Sequence, residues 1–238
     1  MRKKEKFLAI DTETAGSIGR PLVYDIGYKV FDLDGRTYEQ GSLVIYDIYS
    51  QKDLMSSAYY AEKVPQYQKD IDEKKRRLVR FRTAWDIIRK LMSKYEITKV
   101  CAYNTAFDRK ALNNTLEKVM DYKYHFFFPK GTEYIDIWNM ACSSIFQTRT
   151  FYQMAYENNW YSESGNVRTN AEVAYQYITH KLDFEEAHTA LEDVEIEQTI
   201  MLYCWRKTKS ENRGILYNPW RKPQKEWYYY EAHKDGVI

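Results

Sequence analysis

The chain has 238 residues, of which 44% are hydrophobic, enough for one sizeable core with an appended subdomain and too few for two full ones. No apolar run approaches the ~18 residues that span a bilayer, and the opening Met1-Arg-Lys-Lys-Glu-Lys leads into a strand pattern, not a signal-peptide apolar region, so a cytoplasmic protein with no membrane partner is expected. The net charge of +2 hides an asymmetry: residues 206–238 carry eight Lys and Arg against four Asp and Glu, leaving 28 against 30 in the first 205.

In chain order, Phe7-Leu-Ala-Ile10 predicts a short central strand with Asp11 and Glu13 at its C-terminal end. Tyr24–Phe31 and Leu43–Tyr46 predict two more strands. Asp34-Gly35 between them favours positive φ and marks a hairpin, so the first three strands form an antiparallel meander. Residues 47–82 show no clean period, contain Pro65 and the basic run Lys74-Lys-Arg-Arg77, and are expected to be a long excursion with one or two helical pieces. Thr83-Ala-Trp-Asp86 has the form of a capping box. Trp85, Ile88, Leu91, Met92 and Tyr95 follow at helical spacing, which predicts a helix over about 84–95.

Lys99–Tyr103 then predicts a strand and Ala106–Met120 a helix. The strand–helix alternation implies parallel pairing. Tyr134–Ile137 reads as a last strand and Trp138–Phe146 as a helix. Two further capping boxes, Thr169-Asn-Ala-Glu172 and Thr189-Ala-Leu-Glu192, predict helices to Tyr177 and to about Arg206. The expected architecture is a mixed α/β sheet, three antiparallel strands plus two parallel ones, flanked by helices. Cys101, Cys142 and Cys204 are widely spaced in apolar segments, which predicts reduced core thiols and neither a disulfide framework nor a zinc pattern.

Three stretches carry chemistry. Residues two apart on a strand share a face, so Asp11 and Glu13 project together and repel unless a cation sits between them. Asp108 stands four residues after Asn104 at a strand–helix junction. Asn104 and Phe107 beside it offer a polar reader and an apolar wedge suited to a nucleotide. With Thr189 as N-cap, His188 lies just before a helix and Asp193 in its first turn, so loop and helix converge on one point. Four carboxylates and a histidine are what two divalent cations and a general base require for phosphodiester hydrolysis, and histidine accepts and releases a proton near neutral pH. His125, His180 and His233 are placed as structural or solvated.

On these residues the chain resembles the DEDDh 3′–5′ exonucleases of the DnaQ-like, RNase H-like superfamily, which include proofreading subunits and oligoribonuclease-like enzymes. Asp11 and Glu13 match the first motif, Asn104 to Asp108 the second, and His188 with Asp193 the third. The resemblance implies that Asp11, Glu13, Asp108 and Asp193 bind two Mg²⁺ or Mn²⁺ ions and that His188 is the general base. It also implies that Thr14, Asn104 and Phe107 contact substrate, and that Asp136 is an accessory aspartate, more structural than catalytic. The implied substrate is a single-stranded DNA or RNA 3′ end, released as nucleoside 5′-monophosphates, with a polymerase or replication protein as a further partner. Rival readings on the same fold are an RNase H-type endonuclease and a catalytically weak binding module.

There are departures from the family pattern. Ala15-Gly16-Ser17 replaces the common Thr-Gly-Leu, so the apolar wedge under the terminal base is Ile18 or absent, and Tyr103 stands where histidine or glycine is frequent. Residues 1–205 are expected to form the exonuclease domain, with the basic insertion at about 47–82. Residues 206–238, with Arg221, Lys222, Lys225, Trp227 and Tyr228-Tyr-Tyr230, are expected to be a basic aromatic extension. Substrate preference is expected in those two regions.

Overall fold

The computed structural model of the chain describes residues 4–121 and 126–208. Alternation along the first strand sets up both layers of the protein. β1 (Lys6–Ala15) places Phe7 and Ala9 on one face and Leu8 and Ile10 on the other, and each pair belongs to a different core cluster. β1 pairs antiparallel with β2 (Leu22–Asp32), which pairs antiparallel with β3 (Thr37–Ile45). The hairpin turns at Gly35, whose φ of 87° is open to glycine at little cost. These are the three strands of the predicted meander, each longer than its apolar run because β-pairing continues through the polar ends.

Residues 47–82 pack as structure, not as a loose excursion. Two short helices, α1 (Tyr46–Tyr49) and α2 (Lys52–Met55), lead to α3 (Val64–Asp72), which opens with Pro65 in its first turn. The basic run then contributes a sixth strand that the sequence did not reveal, β4 (Arg77–Val79), parallel to β3. Three residues at an edge, Arg77 and Leu78 exposed and Val79 partly buried, are too few to show an alternation.

α4 (Phe81–Tyr95) begins three residues before the expected start. Thr83 is inside the helix, and the first amide is capped from a distance: Phe81 N donates to Asp47 Oδ2 at 2.7 Å. β5 (Lys99–Ala102) runs parallel to β1 and leads into α5 (Thr105–Met120). β6 (Glu133–Asp136) runs parallel to β5, and α6 (Ile137–Ser144) follows directly. The sheet order is β4-β3-β2-β1-β5-β6. Its two edges are parallel additions to the antiparallel centre.

α7 (Arg149–Glu157) went unpredicted, although Phe151 and Ala155 bury its inner face. α8 (Ala171–Thr179) is capped by the Asn170 side chain, which accepts from Val173 N, and not by Thr169. Thr169 instead ties the neighbouring elements together: its carbonyl accepts from the Tyr103 hydroxyl at 2.6 Å and its Oγ1 from Trp138 Nε1 at 3.2 Å. α9 (Ala190–Lys207) crosses the sheet against β1 and β2.

One core layer packs α4 and α5 on Leu8, Ile10, Ile26 and Val44, and the other packs α6 and α9 on Phe7, Ala9 and Phe31. Cys101, Cys142 and Cys204 are buried and form no disulfide among the described residues. Among the described residues no helix is long and apolar enough to cross a membrane. The expected extension from residue 209 onward, including its basic aromatic cluster, lies outside the described residues, as does His125.

Candidate metal centre

The alternation that puts Phe7 and Ala9 on the α9 face puts Asp11 and Glu13 there too. Asp11 pairs with Gly27 of β2, and at that point the start of α9 lies directly on the strand. A Cβ on Gly27 would meet Ala190 O at 2.0 Å and Leu191 N at 2.6 Å. Only glycine admits so close a backbone approach. Gly27 therefore sets how near the helix carrying Asp193 comes to the strand carrying Asp11 and Glu13. Ligand oxygens of Asp11, Glu13 and Asp193 all lie within 4.8 Å of one another.

Thr12, on the opposite face of β1, donates from Oγ1 to Asp108 Oδ1 at 2.8 Å. Asp108 is buried in the first turn of α5 and thus approaches from the other side of the strand. Three of the four predicted acids form one tight group. The fourth is held beside them through Thr12 and bears on Asp11 electrostatically. Asn104 is the left-handed residue (φ 72°) that turns β5 into α5, and its amide donates to Asp136 Oδ1. Asp136 also caps α6 through Asn139 N. It joins two turns and takes no place among the clustered acids. Phe107 is exposed at the start of α5, Thr14 is half-buried, and Ile18 is 90% exposed.

His188 stands in the loop before α9 with φ 53°. Its ring stacks on Tyr60, with centroids 4.2 Å apart and planes within 11°. The Nδ1 lies 4.0 Å from Glu186 Oε2. Thr189 is the N-cap residue as predicted, but its hydroxyl donates to Glu192 Oε2 at 2.6 Å and caps no amide. Glu192 in turn accepts from Arg76 Nη2 at 2.8 Å. Arg76 is 4% exposed and reaches Asp70 and Asp25 as well. The 47–82 segment thus holds the turn that carries His188 and Asp193.

Burial dominates the electrostatics. It raises Glu13 to about 9, with Asp193 adding to the effect, and Asp193 to about 8, with Glu186 and Glu192 adding to it. It raises Asp108 to about 7 despite the opposing Thr12 hydrogen bond. Asp11 is pushed well above the carboxylate range, by burial first and the Glu197 charge second. His188 moves the other way, because burial disfavours its imidazolium.

A multiply charged cation would offset the charge of this set of carboxylates. Asp193 Oδ1 and Glu197 Oε2 are buried oxygens without a hydrogen-bond partner, and a buried carboxylate left unpaired is strongly disfavoured. Hard oxygen donors gathered within this distance suit a hard divalent cation. The residues present therefore fit a divalent-cation centre.

Sequence reasoning missed Glu197, Glu186, Tyr60, Arg76 and Gly27. Glu186 is raised to about 7 by burial and by Glu172. A cleft of about 420 Å³ opens beside Asp11 and is lined by Asn104, Trp138, Glu186 and Glu197, among others. Of the missed residues only Gly27 left a local signal, a lone glycine inside a strand pattern. The others act across long sequence separations.

No protein-family model matches the sequence, and no curated protein is found to be similar to it. Solved structures do match. The zinc-bound E. coli exonuclease I–ssDNA complex superposes with a TM-score of 0.53 at 15% identity, covering 87% of this chain and 42% of that one. A product-bound exonuclease I gives 0.53 at 13% identity, covering 86% and 44%, and an ExoI/SSB-Ct complex gives 0.53 at 13%, covering 86% and 42%. This chain spans less than half the length of those proteins. Its six-stranded mixed sheet flanked by helices is the RNase H-like fold that these exonuclease I structures share.

Proposed function

We propose that the protein is a divalent-cation-dependent 3′–5′ exonuclease that hydrolyses single-stranded DNA or RNA to nucleoside 5′-monophosphates. The observation that carries this reading is the convergence of Asp11, Glu13 and Asp193 within 4.8 Å; His188 stands in the loop that leads into the helix bearing Asp193. Asp11, Glu13 and Asp193, with Asp108 alongside, would hold Mg²⁺ or Mn²⁺. When bound, the cations supply Lewis acidity toward the scissile phosphate and the attacking water.

His188 takes the proton. Burial lowers its pKa from the ordinary histidine value, which favours the neutral imidazole that accepts a proton at a ring nitrogen. The stack on Tyr60 limits its rotation. Asn104 and exposed Phe107 at the start of α5, with Thr14 at the end of β1, would contact the terminal nucleotide. That exonuclease I has been captured with single-stranded DNA supports this substrate class, and its complex with SSB-Ct supports a single-strand-binding protein as a class of partner. Residues 1–205 would be the catalytic unit and 206–238 a basic extension to it.

The test is cleavage of matched 3′-labelled and 5′-labelled DNA and RNA oligonucleotides with Mg²⁺ or Mn²⁺, set against chelator and a circular substrate. Mononucleotide release from the 3′ label, lost in chelator, is expected. Digestion of the circle, or no release from any 3′ end, overturns the reading.

A further inference from the structure

The four acids named so far leave one buried carboxylate unexplained. Glu197 lies four residues after Asp193 on α9, and residues at that spacing share a helix face, so both point at the sheet. Glu197 is 3% exposed. Its Oε1 accepts the Tyr103 amide at 2.9 Å, and its Oε2 is buried with no hydrogen-bond partner. With Asp11, Asn104 and Glu186 it lines the cleft beside the metal centre. No hydrogen bond or ion pair to a basic side chain is found for Asp11 or Glu197 among the described residues.

A purely structural role does not account for this arrangement. One oxygen has a structural task, since it satisfies the first amide after β5. A glutamine or a water-linked polar group would do the same without burying a charge one helical turn from Asp193. A bound cation would offset the carboxylates that Asp11 and Glu197 bring to the same cleft. Asp11 has the Glu13 and Asp193 oxygens within 4.8 Å and also lines the cleft with Glu197, so it stands between two groups of donors.

We propose that Glu197 is a fifth carboxylate of the metal centre and, through its free Oε2, serves with Asp11 a second divalent-cation position on the cleft side. Asp11 is then the acid common to both positions. The Tyr103 amide fixes one oxygen of the Glu197 carboxylate and leaves the other buried without a hydrogen-bond partner. The assignment rests on the cation-dependent reading above and adds a donor that neither the acidic motifs nor the Asp11–Glu13–Asp193 cluster contains.

The experiment is titration of the full-length protein with Mn²⁺, following free Mn²⁺ by electron paramagnetic resonance and the heat of binding by calorimetry. Wild type is compared with Glu197→Gln, which keeps the shape and an acceptor for the Tyr103 amide. Wild type should take up two Mn²⁺. The variant should keep one affinity and lose at least tenfold in the other. Superimposable wild-type and variant isotherms would show that Glu197 is a buried neutral acid and overturn the assignment while leaving the exonuclease reading standing. A wild type that binds no Mn²⁺ overturns both. Should Glu197→Gln fail to fold, Glu197→Asp, which withdraws the carboxylate by one methylene, decides: an unchanged weaker site refutes the proposal and a weakened one supports it.

Discussion

Replacing Arg76 by methionine should destabilise the protein by an amount that depends on pH in a particular direction. The guanidinium is 3% exposed and contacts the side chains of Asp25 (0% exposed) and Asp70 (12%), while the Glu192 arm is 46% exposed. Removing one partner of a buried pair leaves the other uncompensated, at about 3–5 kcal/mol; the half-exposed Glu192 arm adds less than about 1. With a urea slope of about 2–3 kcal/mol per M, the midpoint should fall by about 1–2 M.

The sign with pH follows from Asp25. Burial already raises its pKa, and Arg76 is the main influence that lowers it. In Arg76→Met the folded-state pKa climbs further. For an acid raised on folding, stability is present below the unfolded value of about 3.9 and is lost as pH rises through the folded value. The gap between wild type and variant should therefore narrow from pH 7 to pH 5, with Ser42 and Tyr67 still bonded to Asp25 in both. Parallel urea titrations at the two pH values check it. A midpoint unchanged at pH 7, or a gap that does not narrow on acidification, refutes the reasoning.

Gly27→Ala should cost at least the roughly 1–3 kcal/mol of an overpacked core and abolish activity, because the added Cβ meets α9 backbone at 2.0 Å; a variant with wild-type melting temperature and turnover contradicts the packing account. His188→Ala should lower turnover by roughly two to four orders of magnitude, the usual worth of a positioned base, while Mn²⁺ affinity stays within a few-fold. In wild type the acid limb of the rate profile should lie below histidine's ordinary pKa, since burial lowers it. A variant as active as wild type at neutral pH removes His188 from the chemistry. In chelator, the melting temperature should fall between about pH 6 and 9: Asp108, Asp193 and Glu13 are raised to about 7, 8 and 9, and stability tied to their protonated forms disappears as pH rises through those values. Mg²⁺ or Mn²⁺ should restore it, most strongly at the alkaline end, and a metal-independent melting curve at pH 8.5 counts against the centre.

How much of this was legible in the sequence depended on whether the signal was local. Phe7–Ile10 followed by Asp11 and Glu13 showed a strand with acids sharing a face, because side-chain alternation is a property of adjacent residues. The start of α9 at Thr189 was legible for the same reason, although its hydroxyl turned out to serve Glu192 and no amide. α4 starts earlier than its own residues suggested because the cap comes from Asp47, 34 residues away. β4 has only three residues, and its pairing with β3 is what makes it a strand. Glu197 looked like one more acid on a charged helix. Its burial depends on Tyr103 and on the approach of α9 to the sheet at Gly27, which no window of sequence reveals. Asp11, Glu13 and Asp193 cluster, whereas Asp108 is held at one remove through Thr12.

The expectation that residues 47–82 govern substrate preference has to be narrowed. Tyr67 is fully buried against Asp25 and Tyr24, Arg76 is buried beneath α9, and Tyr60 is engaged with His188. Residues so employed cannot vary to suit a substrate without disturbing the centre. Tyr59 differs: it is 84% exposed and stands edge-on to Tyr60 at 4.8 Å, one ring removed from His188. An exposed aromatic there is positioned to stack a base, a contact worth roughly 1–3 kcal/mol, or about tenfold in affinity for each 1.4 kcal/mol. Tyr59→Ala should therefore raise KM for oligonucleotides roughly tenfold or more, with kcat and melting temperature near wild type, whereas Tyr60→Ala should depress kcat by loosening His188. Steady-state kinetics on a short single strand separate the two. A fall in kcat without a change in KM for Tyr59→Ala would place that ring in the scaffold and leave the segment with no substrate-reading role at this position.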